Sequence, residues 1–373
     1  MATVCRYGGR VTANRPDGAP GVERARSHPG WFGGVMGTAA LSIAAFRLPG
    51  ESGLIADVST AVGWFLFAVA LTAFVGLVVA NLLHHTPGQT IRENIRSSQV
   101  GPAYAAIPGA VLTLTLAVEA AAPTLLESDL ASWILLVVVL AATVVDVWLT
   151  LVFFVAAIGS RGLLEANTLS GVWFMPQTVL LLAATALARL SASAHGPVAE
   201  IAAPTAVMLL GVGFLLFILV AALVLARLVM VPLDPSAETP AAWIMMSPAA
   251  AAALAFLALP NVIPVLLTAP PMSVAFMTSL SAGALVGFCM WWLAVVLLLT
   301  LRLRAQALRF TPATWSFVFP LAALAVASGE LARNWDSVVM TGLAVCMAAI
   351  ATLVWVGVLV GSVRWLRIRL DHS

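Results

Sequence analysis

The sequence predicts an all-α polytopic membrane protein, and three observations carry that reading: its composition, a long internal repeat, and the placement of its arginines. Hydrophobic residues make up 62% of the 373-residue chain and charged residues 9%, with a mean hydropathy of +1.04. Soluble domains are roughly 45–50% apolar and about 25% charged, so this composition excludes a soluble fold. Pro108, Pro176, Pro248 and Pro320 are separated by 68, 72 and 72 residues, and one more such step back from Pro108 falls on Gly37. A unit of two spanning helices, repeated five times around a path through the membrane, accounts for that period.

Residues 1–28 are rich in Arg, Gly and Pro and hold no apolar core, as expected of a disordered cytoplasmic tail. From Trp31 onward, apolar runs can be matched to the roughly 20 residues that cross a bilayer. They predict ten transmembrane helices at about 31–48, 57–83, 103–123, 130–158, 171–190, 202–230, 242–259, 271–301, 312–329 and 335–363. These form one membrane domain, 29–363, followed by a short cytoplasmic tail, 364–373. The odd spans are short, carry the Pro and Gly breaks, and hold the small residues that let backbones approach in an inner ring. The even spans are long and apolar throughout, as tilted helices facing membrane lipid would be.

The chain contains no lysine. With a cytoplasmic N-terminus, fifteen of its eighteen arginines fall on the inner side, and only Arg47, Arg189 and Arg333 fall outside. The positive-inside rule therefore places both termini in the cytoplasm and supports an even number of spans; the cell (plasma) membrane is the expected location. The net charge of +2 is spread over loops that meet anionic headgroups and implies no nucleic-acid partner.

A proline within an inner helix removes a hydrogen bond and frees a carbonyl one turn earlier. Gly33, Gly34 and Gly37 allow the first inner helix to bend as well. Breaks at a similar depth in five helices predict a narrow central pore lined at Gly33, Gly37, Pro108, Pro176, Pro248 and Pro320. The central turns of the odd spans hold almost no ionisable group; Glu119, Arg189 and Glu330 sit at their outer ends. Conduction needs binding weak enough to permit exit, so a neutral, dipole-lined path favours a channel for small anions. Phe319, immediately before Pro320, places a bulky ring at the break and is the candidate gate; an ordinary packing aromatic is the other reading.

Asp146, in the middle of the fourth span, is a possible intramembrane acid. It lies on a proton or ion path, or it faces a neighbouring helix and fixes packing. His84 and His85 end the second span as interfacial residues. Cys5, Cys289 and Cys346 lie far apart and read as small buried hydrophobes, with no metal-ligand spacing. No clustered His, Cys and carboxylate set points to an enzyme, and no motif calls for a metal or cofactor.

Two segments are specific enough to suggest a family. HPGWFGGVMGTAALS, at 28–42, and TWSFVFPLAALAVAS, at 314–328, resemble the first- and ninth-helix patterns of the tellurite-resistance/dicarboxylate transporter family, to which the plant guard-cell slow-type anion channels are similar. WFMPQTV and WIMMSPAAAAALAFL look like its fifth and seventh helices. The resemblance implies a homotrimer whose protomers each hold ten helices as five helical hairpins with quasi-five-fold symmetry, odd helices lining a central pore. It implies a phenylalanine gate at Phe319 and anion substrates of the chloride, nitrate, sulfite or malate class. Ala39, Thr314, Val318 and Ala322 depart from the family pattern, and Ser247–Pro248 stand where paired prolines are common. A gated anion channel is the leading reading; a proton-coupled dicarboxylate or sulfite carrier, working through Asp146 or Glu119, is the alternative.

Overall fold

The computed structural model describes residues 29–47, 53–83, 88–97, 100–124, 128–159, 169–231, 238–266, 271–304 and 310–370. The tail at 1–28, His84, His85 and Cys5 lie outside them. Thirteen α-helices follow in chain order: α1 (Trp31–Phe46), α2 (Leu54–Leu83), α3 (Gly88–Arg96), α4 (Ala106–Ala121), α5 (Asp129–Gly159), α6 (Met175–Ser193), α7 (Pro197–Met230), α8 (Glu238–Trp243), α9 (Met246–Ala258), α10 (Ile263–Leu266), α11 (Pro271–Arg302), α12 (Val318–Trp335) and α13 (Val338–Leu370). Among the described residues, nine helical segments are long and apolar enough to cross a membrane, and a further apolar helix, α1, is shorter at 16 residues. The protein is an all-α polytopic membrane protein.

Composition decides which helices go inside. In α1, α4 and α9, Ala, Gly, Ser and Thr predominate among the buried residues, and in α6 and α12 they are interspersed with Leu and Val, so backbones approach closely. Their hydroxyls are satisfied locally: Thr38, Thr113, Thr178 and Thr185 each donate to the carbonyl four residues back, at 2.7–2.9 Å. These five helices pack pairwise in the order α1–α4–α6–α9–α12–α1, which closes a ring. The outer helices α2, α5, α7, α11 and α13 each lie in the groove between their own inner helix and the next. Apolar on every side, they bury only 11–39% of their hydrophobic windows inside the protein and leave the rest for lipid.

The turns joining inner to outer helices are tight where the backbone permits. Gly196, at φ +58°, links α6 to α7, and Asp336, at φ +48°, caps α12 before α13. A left-handed residue at each point reverses the chain within a few residues.

Two expectations change. Cys346 is exposed on outer α13, while Cys289 is buried with its thiol toward the Met246 carbonyl. The last helix continues through Leu370, past the boundary at 363 where the tail was expected to begin. Its hydrophobic span ends there, but nothing in RWLRIRL breaks a helix.

The prolines also act differently from interior kinks. Pro108, Pro248 and Pro320 are the third residues of α4, α9 and α12, and Pro176 is the second of α6. Tighter 3₁₀ turns lead in: Gly101–Ala105 before α4, Gly171–Phe174 before α6 and Pro312–Phe317 before α12. Before α9, three-residue-spaced bonds join Ile244 N–H to Ala241 and Ser247 N–H to Ile244. A first-turn residue needs no N–H for the α-helical ladder, so proline fits there without cost. The repeat therefore marks the point at which each inner helix changes from a tight lead-in to a regular helix.

Candidate functional site

The lead-ins converge on one cavity. Its lining comes from the starts of all five inner helices: Gly30, Gly33 and Met36; Ala103 and Ala106; Val172 and Met175; Ala241, Ile244 and Ser247; and Pro312, Ala313, Trp315, Ser316, Phe319 and Pro320. Its volume of about 90 Å³ has room for several waters. No charged side chain lines it. Helix N-termini carry a partial positive charge, and α1 and the lead-ins to α4 and α6 begin without a side-chain cap. Helix starts of this kind, gathered around one cavity, favour an anion without fixing it there.

Phe319 is 5% exposed and borders the cavity together with Pro320. Its backbone is held from the first helix. A Cβ on Gly37 would lie 2.9 Å from Val318 Cγ1 and 3.2 Å from Phe319 N; one on Gly34 would lie 2.9 Å from the Trp315 ring. The first-helix glycines thus form the seat into which the Trp315–Phe319 segment fits. Trp355 of α13 donates its indole N–H to Thr38 at 2.8 Å, and Ser316 donates to the Pro240 carbonyl at 2.6 Å, fixing this seat from two further sides.

Thr314, one of the departures from the family pattern, closes a capping box with Thr311, whose N–H donates to Thr314 Oγ1 at 3.1 Å. Trp315 adds a polar feature that sequence reasoning passed over. Its buried indole N–H has no acceptor among the described residues, and the ring borders the cavity.

Of the residues singled out from sequence, Gly33, Phe319 and Pro320 line the cavity. Gly37 packs behind Phe319. Pro108, Pro176 and Pro248 are buried one or two positions beyond the lining residues Ala106, Met175 and Ser247. Asp146 is away from the cavity, fully buried on the inward face of α5, where neither carboxylate oxygen has a hydrogen-bond donor among the described residues. No group of three metal-ligating side chains occurs among the described residues.

At the opposite end of the ring, where the inner helices finish, charged side chains meet. Glu119 Oε1 accepts from Arg47 Nη2 and Arg189 Nη1, both at 3.1 Å. Glu330 Oε1 accepts from Arg189 Nη2 at 2.8 Å and also from Arg47 Nη1, while its Oε2 pairs with Arg333 at 2.8 Å. These side chains are 13–23% exposed, apart from Arg333. The outer acid and base residues were visible singly in the sequence; their closure into one cycle was not.

No curated protein sequence matches the chain. A family model described as SLAC1, voltage-dependent anion channel, matches residues 26–363 and so covers most of it. The described helices, the closed inner ring and this match agree, and the chain belongs to the SLAC1 voltage-dependent anion channel family.

Proposed function

We propose that this protein is a gated channel for small anions, with Phe319 as the gate of a lumen running through each protomer. The observation that carries this reading is the uncharged cavity, surrounded by five inner-helix starts and bordered by Phe319. An apolar ring across a narrow lumen blocks ions by excluding water. The helix starts supply the electrostatic preference for anions, and the neutral wall lets them leave.

Phe319→Ala in purified protein in planar bilayers is expected to raise chloride current at least about tenfold, as removal of a hydrophobic constriction should. Unchanged current would count decisively against the gate. A reversal-potential series over chloride, nitrate, sulfite and malate then identifies the permeant class.

The assembly that goes with this reading is a homotrimer in the plasma membrane; the cytoplasmic placement of both termini is supported by fifteen of eighteen arginines on one side. Mass measurement in detergent should give three times 38.8 kDa.

A second reading, a proton-coupled carrier of dicarboxylate or sulfite, draws on the buried and unpartnered Asp146 carboxyl. For the channel, Asp146→Asn leaves anion current and its pH response unchanged. Flux that follows a pH gradient and is abolished by that substitution would favour the carrier.

A further inference from the structure

The charge cycle at the far end of the ring reaches across it. Around the ring, α6 and α12 are separated by α9, and α1 and α6 by α4. Arg189 on α6 nevertheless bonds Glu330 on α12 at 2.8 Å, and Arg47, at the end of α1, shares both glutamates with it. The Arg189–Glu330 bond therefore reaches across the end of the ring, over the place that α9 occupies between them. Each glutamate Oε1 is held by both arginines, so the two pairs are linked into one continuous cluster. The arginines that depart from the positive-inside pattern, Arg47, Arg189 and Arg333, are all bound in this cluster. With three arginines to two glutamates, it retains one positive charge.

We propose that the Arg47–Glu119–Arg189–Glu330 cycle is a second closure of the lumen, in series with Phe319, and that a permeant anion opens it by replacing a glutamate carboxylate on the arginine forks. The proposal rests on the reading of the lumen as an anion path. A guanidinium presents two parallel N–H donors that match a planar oxyanion. Nitrate and carboxylates therefore fit this exchange better than chloride, and the cycle is both a barrier and a point of selection. The displaced Glu330 carboxylate stays paired with Arg333 through Oε2, and the arriving anion offsets the one excess positive charge of the cluster.

The test uses full-length Phe319→Ala protein in planar bilayers as the baseline. Adding Glu330→Gln is expected to raise chloride conductance about threefold or more, because a competing negative charge leaves the path. Adding Arg189→Gln is expected to lower it by a similar factor, because the cluster loses a guanidinium fork and its excess positive charge. Arg189→Lys keeps the charge without the fork; it should preserve conductance while reducing the nitrate-to-chloride permeability ratio. Should Glu330→Gln not yield monodisperse protein, Glu119→Gln tests the same closure, since Glu330 keeps its arginines. Opposite signs for the Glu and Arg substitutions support the proposal. Equal currents in all these variants, or changes of one sign, would reduce the cycle to a staple between helix ends and overturn it. Absence of current from Phe319→Ala alone defeats the conduction reading, and the closure with it; a conducting baseline with inert ring variants defeats the closure only.

Discussion

At Gly34 and Gly37 the absence of a side chain lets two motifs nearly 280 residues apart in the chain meet. A methyl group at Gly37 would push directly on Val318 and on the Phe319 backbone. Gly37→Ala is expected to cost about 1–3 kcal/mol, the usual range for overpacking, seen as a lower unfolding midpoint in detergent. It should also produce a leak current, because the displaced atoms carry the proposed gate; a destabilised but tight variant would show that the position of Phe319 does not depend on this contact. Trp315→Phe tests the indole donor separately. It keeps the ring that fills the space beside Gly34 and removes an N–H that has no acceptor among the described residues. Stability should therefore change by less than about 1 kcal/mol, while anion current in the Phe319→Ala background falls about two- to threefold, the scale of a weak hydrogen bond. An unchanged current would remove Trp315 from the anion's path.

The prolines are informative at the scale of the element. Their spacing was legible in the sequence because the repeat itself recurs, but their position within each helix was not. The 3₁₀ lead-ins GPAYA, GVWF and PATWSF run straight into their helices, with small residues on both sides, so no break in the sequence marks the junction. An interior proline would cost about 3 kcal/mol by losing a bond and clashing with the previous turn; a first-turn proline loses neither. Pro176→Ala is therefore expected to shift stability by no more than about 1 kcal/mol and to leave conductance in the Phe319→Ala background within twofold. A large loss of current, with folding intact, would restore a kink role to the proline. Outer helices were easier to place: their uninterrupted apolar length is visible locally, and lipid asks nothing more specific of them.

For the whole molecule, the selectivity of the proposed channel follows from what surrounds its lumen. The cavity has helix starts but no fixed charge, so little there repays an anion for losing water. Weakly hydrated anions should pass more readily: the reversal potential under a nitrate–chloride gradient should report nitrate as the more permeant, with potassium excluded. Equal permeability of potassium would mean that the helix dipoles do not set the sign of the permeant ion. The forks at the far end add to the same preference in the proposed second closure, which is why the Arg189→Lys ratio separates the two contributions.

Membrane class, helical architecture, the two-helix repeat and the approximate inner and outer roles were determined by the sequence alone, because hydrophobic length and small-residue content act locally. Phe319 stood out as well, through a motif confined to a few adjacent residues. Only the tertiary structure decided that the glycines of α1 seat Trp315 and Phe319, that Thr314 serves as a cap, and that Asp146 is buried without a hydrogen-bond donor among the described residues. It also decided that arginines and glutamates at the ends of four different inner helices close a cycle across the ring. Contacts between residues far apart in the chain depend on helix rotation and on ring closure, and neither leaves a local pattern that a single sequence displays.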